Sequence, residues 1–376
     1  METVKILHTA DVHIGAESSF LGVGAESRRF EILLTFERIM DLAKSEDVNL
    51  VAVAGDFFDA NSVEERFIKP VFQKIASLPQ IKVVYAAGNH DPLNSDSPFL
   101  RYSLPENLYV LGACDDCITF EDLKLKVYGR SFEHSRLKGG EGFSLKTDDN
   151  YINLLIRHGE ARSDLNSDYN PITPQFVKSS GMDYIALGHI HKATEIGKLD
   201  NTYFAYCGCP EGQGFDELGE KGIYIGDIGK GVCSLKFVPI CKRQHIEKEI
   251  DVSPCLDTAE TVAVILNTLQ NDFGESFGDN LYKIILKGEI FESLDVNIPE
   301  LTSRLSSKLY FVKLLDKTEY KIDYEALAKE PTLMGVFTKK MSERIENADE
   351  MQKEKLKKAL KLGLRAFKAE VKYNED

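Results

Sequence analysis

The chain has 376 residues, 43% hydrophobic and 28% charged, which suits two or three soluble globular domains rather than a disordered or fibrous protein. Met1-Glu2-Thr3 leads straight into an apolar run and no run approaches the roughly 18–20 residues that span a bilayer, so the expectation is a cytoplasmic protein without a signal peptide. The net charge of −14 is uneven: residues 331–376 carry 11 Lys/Arg against 8 Asp/Glu, leaving −17 on residues 1–330, which weakens a nucleic-acid reading without excluding it.

Residues 1–240 read as alternating strands and helices. The apolar run Val4–Ala10 predicts a strand that ends at Asp11-Val12-His13. Ser27–Ser45 has a helical period, with Phe30, Leu33, Leu34, Phe36, Ile39, Met40 and Leu42 on one apolar face. Leu50–Ala54 predicts a second strand, followed by Gly55-Asp56-Phe57-Phe58-Asp59, and Glu64–Ser77 a second helix. Val83–Ala87 precedes Gly88-Asn89-His90-Asp91, and Ile152–Arg157 precedes His158-Gly159. A short helix opens at Pro174–Ser180, and Tyr184–Leu187 precedes Gly188-His189-Ile190-His191. Leu123–Tyr128, Thr202–Ala205, Gly222–Gly226 and Cys233–Val238 read as strands with no chemistry at their ends.

The pattern changes after Pro239. His245–Val252, Asn280–Ile290 and Tyr310–Ile322 read as strands, with helices over Thr258–Phe273 and Ile298–Leu309 between them. This β-α-β-α-β unit can form a small sheet with two covering helices, and it holds no dense ligand cluster, so substrate selection suits it better than chemistry. Thr332–Ala348 predicts a helix, and Leu356, Leu360, Leu364, Phe367 and Val371 form one stripe of another. Two readings of that stripe stay open: packing on the body of the same protein, or helix-in-groove docking on a partner.

Five short clusters of potential ligands thus each follow an apolar run, and ligands leaving adjacent strand ends can converge on one crevice. Asp11 and His13 are i and i+2, so an extended backbone would point both to one side, as it would His189 and His191. Asp56 is placed to bridge two cations, and Asn89 offers a neutral carbonyl oxygen. A mixed imidazole and oxygen set suits manganese, iron or zinc better than calcium. Two such cations, roughly 3.5–4 Å apart, polarise a phosphoryl group and lower the pKa of a bridging water. They would add about +4 locally, against −2 from Asp11 and Asp56. His8, His134 and His245 read as structural, and Asp91 as a cap on the segment after it. The seven cysteines, including Cys114 and Cys117 of a lone CxxC and Cys207-Gly208-Cys209, read as free thiols.

Taken together, Asp11-x-His13, Gly55-Asp56-x-x-Asp59, Gly88-Asn89-His90-Asp91, His158 and Gly188-His189-x-His191 resemble the calcineurin-like metallophosphoesterase superfamily over residues 4 to about 240. The resemblance implies an α/β fold: a metallophosphoesterase β-sandwich flanked by helices, with a small β-α-β-α-β capping domain and C-terminal helices. It implies that Asp11, His13, Asp56 and His191 hold one metal and that Asp56, Asn89, His158 and His189 hold the other. His90 would act beside the leaving group, oriented by Asp59, while a metal-bridging hydroxide attacks phosphorus in line. Within the superfamily, Ile6-Leu-His-Thr-Ala-Asp-Val-His13 and Gly208-Cys-Pro-Glu-Gly-Gln-Gly-Phe-Asp-Glu-Leu-Gly219 look like the SbcD and YhaO-like DNA double-strand-break repair nucleases.

That closer resemblance implies a manganese-dependent DNA exonuclease or endonuclease, a homodimer, with an SMC-like ATPase as partner. Residues 1–240 would be the nuclease domain, 241–325 a capping domain that selects DNA, and 326–376 the helical segment that docks on the partner. Arg130, Arg136, Lys138, Arg157 and Arg162 are the candidates for a local basic track. The alternative is a phosphoesterase of small nucleotides, cyclic nucleotides or phosphoproteins, needing no ATPase. A non-catalytic end-binding scaffold is a third reading, against which the intact ligand set and His90 with Asp59 argue.

Overall fold

A computed structural model describes residues 2–137, 146–291, 294 and 296–367. In chain order the strands are β1 (Thr3–Thr9), β2 (Leu50–Ala54), β3 (Lys82–Ala86), β4 (Leu108–Val110), β5 (Asp116–Phe120), β6 (Leu125–Gly129), β7 (Ile152–His158) and β8 (Tyr184–Gly188). They continue as β9 (Gly197–Leu199), β10 (Thr202–Tyr206), β11 (Gly222–Gly229), β12 (Val232–Cys233), β13 (Lys236–Pro239), β14 (His245–Asp251), β15 (Leu281–Ile290) and β16 (Phe311–Tyr320). The helices are α1 (Ala25–Ser45), α2 (Glu65–Ala76), α3 (Pro98–Arg101), α4 (Pro174–Ser179), α5 (Thr258–Phe273), α6 (Ile298–Leu305), α7 (Tyr324–Ala328), α8 (Leu333–Glu346) and α9 (Glu350–Phe367).

Two large sheets carry the site. The first is ordered β12-β11-β1-β2-β3-β4, with β13 also on β11; the second is β5-β6-β7-β8-β10-β9. Strands β1 to β4 are parallel, as are β6, β7, β8 and β10, so in each sheet a set of carboxyl ends shares one edge. The period of two sorts the side chains. Val4 and Ile6 of β1 share a core with Leu154 and Ile156 of β7, between the sheets. Leu7 of β1 faces the other way, onto Phe36 and Ile39 of α1 and Phe67 of α2. Leu155 of β7 likewise turns outward to Val177 of α4. The result is the β-sandwich flanked by helices that the motifs imply. His8 is the exception to apolar filling: fully buried, it contacts Tyr184 Oη at 2.9 Å through Nδ1 and the Leu187 carbonyl at 3.1 Å through Nε2.

The described chain divides into two units: residues 1–248, 273–284 and 306–313 in one, and 249–272, 285–305 and 314–376 in the other. The order β14-α5-β15-α6-β16 is the expected β-α-β-α-β pattern, and its strands pair in the order β14-β15-β16. In the second unit, Leu360 and Leu364 of α9 are buried with Met341 of α8, and Tyr324, Leu327, Phe337, Ile345 and Leu356 pack around them. Leu356, Leu360 and Leu364 of the C-terminal stripe thus pack on α7 and α8, within the same C-terminal segment. Phe367 meets Phe337 at 5.5 Å between ring centroids, and Val371 lies outside the described residues. All seven cysteines are free thiols.

Candidate metal centre

Every predicted site residue leaves the carboxyl end of a parallel strand. Asp11 and His13 follow β1, Asp56 and Asp59 follow β2, Asn89 and His90 follow β3, His158 ends β7, and His189 and His191 follow β8. The backbone that turns them inward is not extended, which corrects the reason for expecting convergence. Asp11 (φ 50°), His13 (φ 49°), Asp56 (φ 47°) and His189 (φ 97°) all lie in the left-handed half of φ/ψ space. Asp and His tolerate that region better than most residues, and such strain collects at functional sites. Tight crossed turns hold the conformations, with Asp11 N–H donating to Gly55 O and His13 N–H to Asp56 O, each at 3.0 Å. Close approach explains two of the glycines: a Cβ on Gly55 would overlap the His158 ring, and one on Gly88 would overlap Asp56.

His13 and His191 define the first half of the centre. His13 Nδ1 lies 3.1 Å from Asp59 Oδ1, and His191 Nδ1 lies 2.5 Å from Glu217 Oε1. With each Nδ1–H given to a carboxylate, both Nε2 lone pairs turn inward, and the two Nε2 atoms are 3.3 Å apart. Two acceptors aimed at one point need a positive charge between them, either a proton or a metal ion. Asp11 stands within reach, and its carboxylate accepts the His189 backbone N–H at 3.0 Å.

The second half is built on His158. Its Nδ1 lies 2.9 Å from the Ala54 carbonyl, which assigns that nitrogen as the donor and leaves Nε2 as a lone pair. Nε2 faces Asn89 Oδ1 at 3.0 Å and Asp56 Oδ2 at 3.3 Å, again acceptor against acceptor. His189 Nδ1 joins Asn89 Oδ1 at 3.2 Å, and the His189 ring stacks on Tyr169 at 4.8 Å. Asp56 serves both halves. Its Oδ1 accepts the His90 N–H at 2.9 Å, while Oδ2 reaches both His158 Nε2 and, at 3.8 Å, His13 Nε2. These oxygen and imidazole donors are compatible with metal binding, and Asp56 Oδ2 stands between the two halves.

Without cations, protons take up the imbalance. Burial would lower His158, yet the charges of Asp56 and Asp11 and the Ala54 carbonyl lift it to about 9. Burial likewise opposes His13, but Asp59 and Asp56 raise it, and Glu217 and Asp11 raise His191. His189 goes the other way, to about 4, through burial and the neighbouring His158. Burial pushes Asp11 up, whereas at Asp56 the surrounding histidines override burial and hold it well below the carboxylate range.

His90 and Asp59 sit together, but not as the resemblance pairs them. The His90 ring contacts the Asp59 backbone carbonyl (Nδ1, 3.1 Å), while the Asp59 carboxylate serves His13. His90 is exposed and edge-on to the His13 ring at 4.7 Å. Asp91 does not cap a following segment. It is fully buried, accepts the N–H groups of Phe58 (2.9 Å) and Gly88 (3.2 Å), and so ties two ligand loops together. Burial and the adjacent Asp56 charge raise it to about 7.

Several expectations are corrected here. Arg157 does not join a surface basic track, since it is 5% exposed and donates to Asn170; Arg136 pairs with Asp168, Arg162 with Glu160 and Asp164, and Arg130 donates to the Ala113 carbonyl. Lys138 lies outside the described residues. His134 is exposed rather than a buried structural histidine; His245 is buried, with neither ring nitrogen hydrogen-bonded among the described residues.

Sequence reasoning also missed residues that hold the site. Glu217 on His191 is one, and Lys221, whose Nζ donates to the His191 carbonyl at 2.9 Å, is another. Glu211 is a third: fully buried, it accepts from Arg28 at 2.7 Å and from the Lys242 N–H at 2.5 Å. Both glutamates lie in the Gly208–Gly219 loop, whose motif was legible as a likeness and not as a set of contacts.

Comparison with known proteins is consistent with this geometry. A sequence profile described as calcineurin-like phosphoesterase matches residues 4–193. The chain is 26% identical over 249 residues to the uncharacterized metallophosphoesterase YhaO of Bacillus subtilis, covering 62% of this chain and 60% of that protein. It is 23% identical over 262 residues to the DNA double-strand break repair protein Mre11 of Methanopyrus kandleri, covering 63% and 57%. It is 26% identical over 271 residues to the SbcD component of the nuclease SbcCD of Escherichia coli K12, covering 61% and 66%. The match thus spans about three fifths of the length of these relatives.

Proposed function

The chain belongs to the calcineurin-like phosphoesterase family, and from that premise we propose that it is a two-metal phosphodiesterase that cleaves DNA in double-strand-break repair. The observation that carries the hydrolase reading is Asp56 Oδ2, which reaches His158 Nε2 at 3.3 Å and His13 Nε2 at 3.8 Å between two sets of inward lone pairs.

Asp11, His13, Asp56 and His191 would hold one cation, and Asp56, Asn89, His158 and His189 the other. The imidazole and oxygen donors suit manganese, with iron or zinc as competitors. Cations bound there would polarise the phosphoryl group and acidify water. The protein's own groups do the rest. Asp59 and Glu217 hold His13 and His191 in the tautomer that presents Nε2. A water oxygen adds to phosphorus opposite the leaving oxygen and gives up a proton to solvent, the phosphorus–oxygen bond to the leaving oxygen breaks, and His90 protonates that oxygen. Anchoring of His90 Nδ1 on the Asp59 carbonyl leaves Nε2 for that transfer.

DNA as substrate is supported by the relatives named for break repair and by one named as part of a nuclease. By the same likeness, residues 241–325 would select DNA ends, and 326–376 would dock on an SMC-like ATPase in the cytoplasm, with the nuclease as a homodimer. Leu333 and Val336 of α8, 74% and 50% exposed, are the apolar side chains α8 leaves for such a partner. No described helix is long and apolar enough to cross a membrane. The −14 charge favours a second reading, hydrolysis of small or cyclic nucleotides or phosphoproteins.

The test is incubation of the protein and of Asp56→Asn with labelled linear DNA, closed circular DNA and mononucleotides, with manganese and with chelator. Linear DNA should be shortened by the wild type in manganese alone. Hydrolysis confined to mononucleotides would overturn the nuclease, and metal-independent DNA binding without turnover would favour a scaffold.

A further inference from the structure

A cleft of about 470 Å³ opens on the His90 side of the centre, lined by Asn61, Asn89, His90, Asn94, Asp96 and Arg101 among others. Clefts of roughly 300–1,000 Å³ hold small organic ligands. Asn89 makes it continuous with the metal-ligand cluster, and His90 is the group that would protonate the leaving oxygen. A cleft on that side of the reaction therefore receives what departs.

Its lining is polar, and one feature of it points to an anion. Ten arginines lie in the first unit. Nine are engaged by protein groups: Arg28 with Glu211, Arg29 and Arg66 with Glu64, Arg38 with Ile240 O, Arg130 with Ala113 O, Arg136 with Asp168, Arg157 with Asn170, Arg162 with Glu160 and Arg243 with Glu31. The Arg101 guanidinium has no partner among the described residues, and it is exposed in the cleft. Arginine's planar fork matches a phosphate in a bidentate fashion. Asn61 adds an acceptor: its Nδ2 is spent on Pro92 O and Asn94 Oδ1, and its buried Oδ1 has no donor. Asp96 is the one carboxylate of the lining, so a single phosphate fits this cleft better than a run of them.

We propose that this cleft is the subsite for the leaving-side nucleotide, with Arg101 binding the phosphate beyond the scissile one and Asn61 accepting from the sugar or base. The proposal rests on the phosphodiesterase reading above and adds a requirement for chain continuing past the cut. Replacing Arg101 breaks no hydrogen bond or ion pair among the described residues, so the variants are expected to fold.

The experiment compares wild type, Arg101→Gln and Arg101→Lys in manganese on a short oligonucleotide and on bis(p-nitrophenyl) phosphate, whose leaving group carries no phosphate. Arg101→Gln should lose about three- to tenfold more kcat/KM on the oligonucleotide than on the phenyl ester, and Arg101→Lys should recover part of it. Equal losses on both substrates, or none on either, would overturn the subsite. A second readout separates this from the nuclease reading: inhibition of phenyl-ester hydrolysis by a nucleoside 3′,5′-bisphosphate against the parent nucleoside. The bisphosphate should inhibit more strongly, by a margin that shrinks in Arg101→Gln. If the wild type ignores oligonucleotides yet keeps that Arg101-dependent margin, the nuclease reading falls and the subsite stands. A margin unchanged in Arg101→Gln sinks the subsite and leaves the nuclease reading intact.

Discussion

Glu217 Oε1 lies 2.5 Å from His191 Nδ1, and that contact fixes which ring nitrogen of a predicted ligand faces the centre. Hydrogen bonding to His191 overcomes burial and draws Glu217 down to about 2, so the glutamate is ionised throughout the useful pH range. The ring is thereby locked with Nε2 inward, 3.3 Å from that of His13.

Loss of this lock should show in metal affinity before it shows in fold. Glu217→Gln is expected to weaken one of two manganese equivalents by about 10- to 100-fold. Activity should return at high manganese. Calorimetric titration reads both affinities, and two unchanged sites would contradict the assignment.

Asp59 is expected to behave as a support for His13 rather than for His90. Asp59→Asn keeps the backbone carbonyl that anchors His90 but removes the carboxylate beside His13. Its main effect should be roughly tenfold or greater loss of metal affinity. His90→Ala should retain both metals and lose turnover by about 10²–10⁴-fold. An Asp59→Asn enzyme with full metal content and His90-like loss would restore the pairing that the family likeness implies.

Metal binding should release protons and strengthen as pH rises. In the metal-free protein His158 holds its proton up to about 9, because Asp56 and Asp11 outweigh burial. A cation can take the His158 Nε2 lone pair only after that proton leaves. Apparent affinity therefore climbs between neutrality and about pH 9 and levels off above it. Titrations in buffers of different ionisation enthalpy count the protons, and a pH-independent affinity would count against this arrangement.

How much of this was legible in the chain depends on distance along it. The five ligand clusters were, because each lies at or within a few residues of the end of a strand whose apolar run is local. The Thr332 start of α8 was as well, since a threonine that accepts the Gly335 N–H at 3.0 Å is an N-cap readable from sequence. Glu217 was not, because 26 positions separate it from His191. Nor were the left-handed turns at Asp11 and His13, which no glycine precedes. Arg157 misled for a different reason: every residue of β7 is buried, so an arginine that looked like surface charge is enclosed by the strand on which it sits. Short strands such as β4 and β5 lack a long enough run to declare themselves.

The loop that carries Glu217 is held by a buried ion pair, Arg28 with Glu211, at 2.7 Å. Glu211→Ala would leave Arg28, which is 1% exposed, with Glu31 at 3.1 Å as its remaining carboxylate, and should cost up to about 3 kcal/mol of stability. Joint replacement by Arg28→Met and Glu211→Met should cost less, because it leaves no enclosed charge unopposed. Chemical denaturation of the three proteins tests the order, and a double variant weaker than the single would refute it.

The proposed ligands come from both halves of the sandwich: Asp11, His13, Asp56 and Asn89 from the first sheet's strand ends, His158, His189 and His191 from the second's. A cation held among them would rivet the two layers at one rim, while the packing between the layers is apolar apart from His8 and its hydrogen-bond partners. Chelation would then do more than stop turnover. It would let the layers part from the reactive edge first, and amide exchange in the turns after β1, β2 and β8 would quicken ahead of the rest of the sandwich.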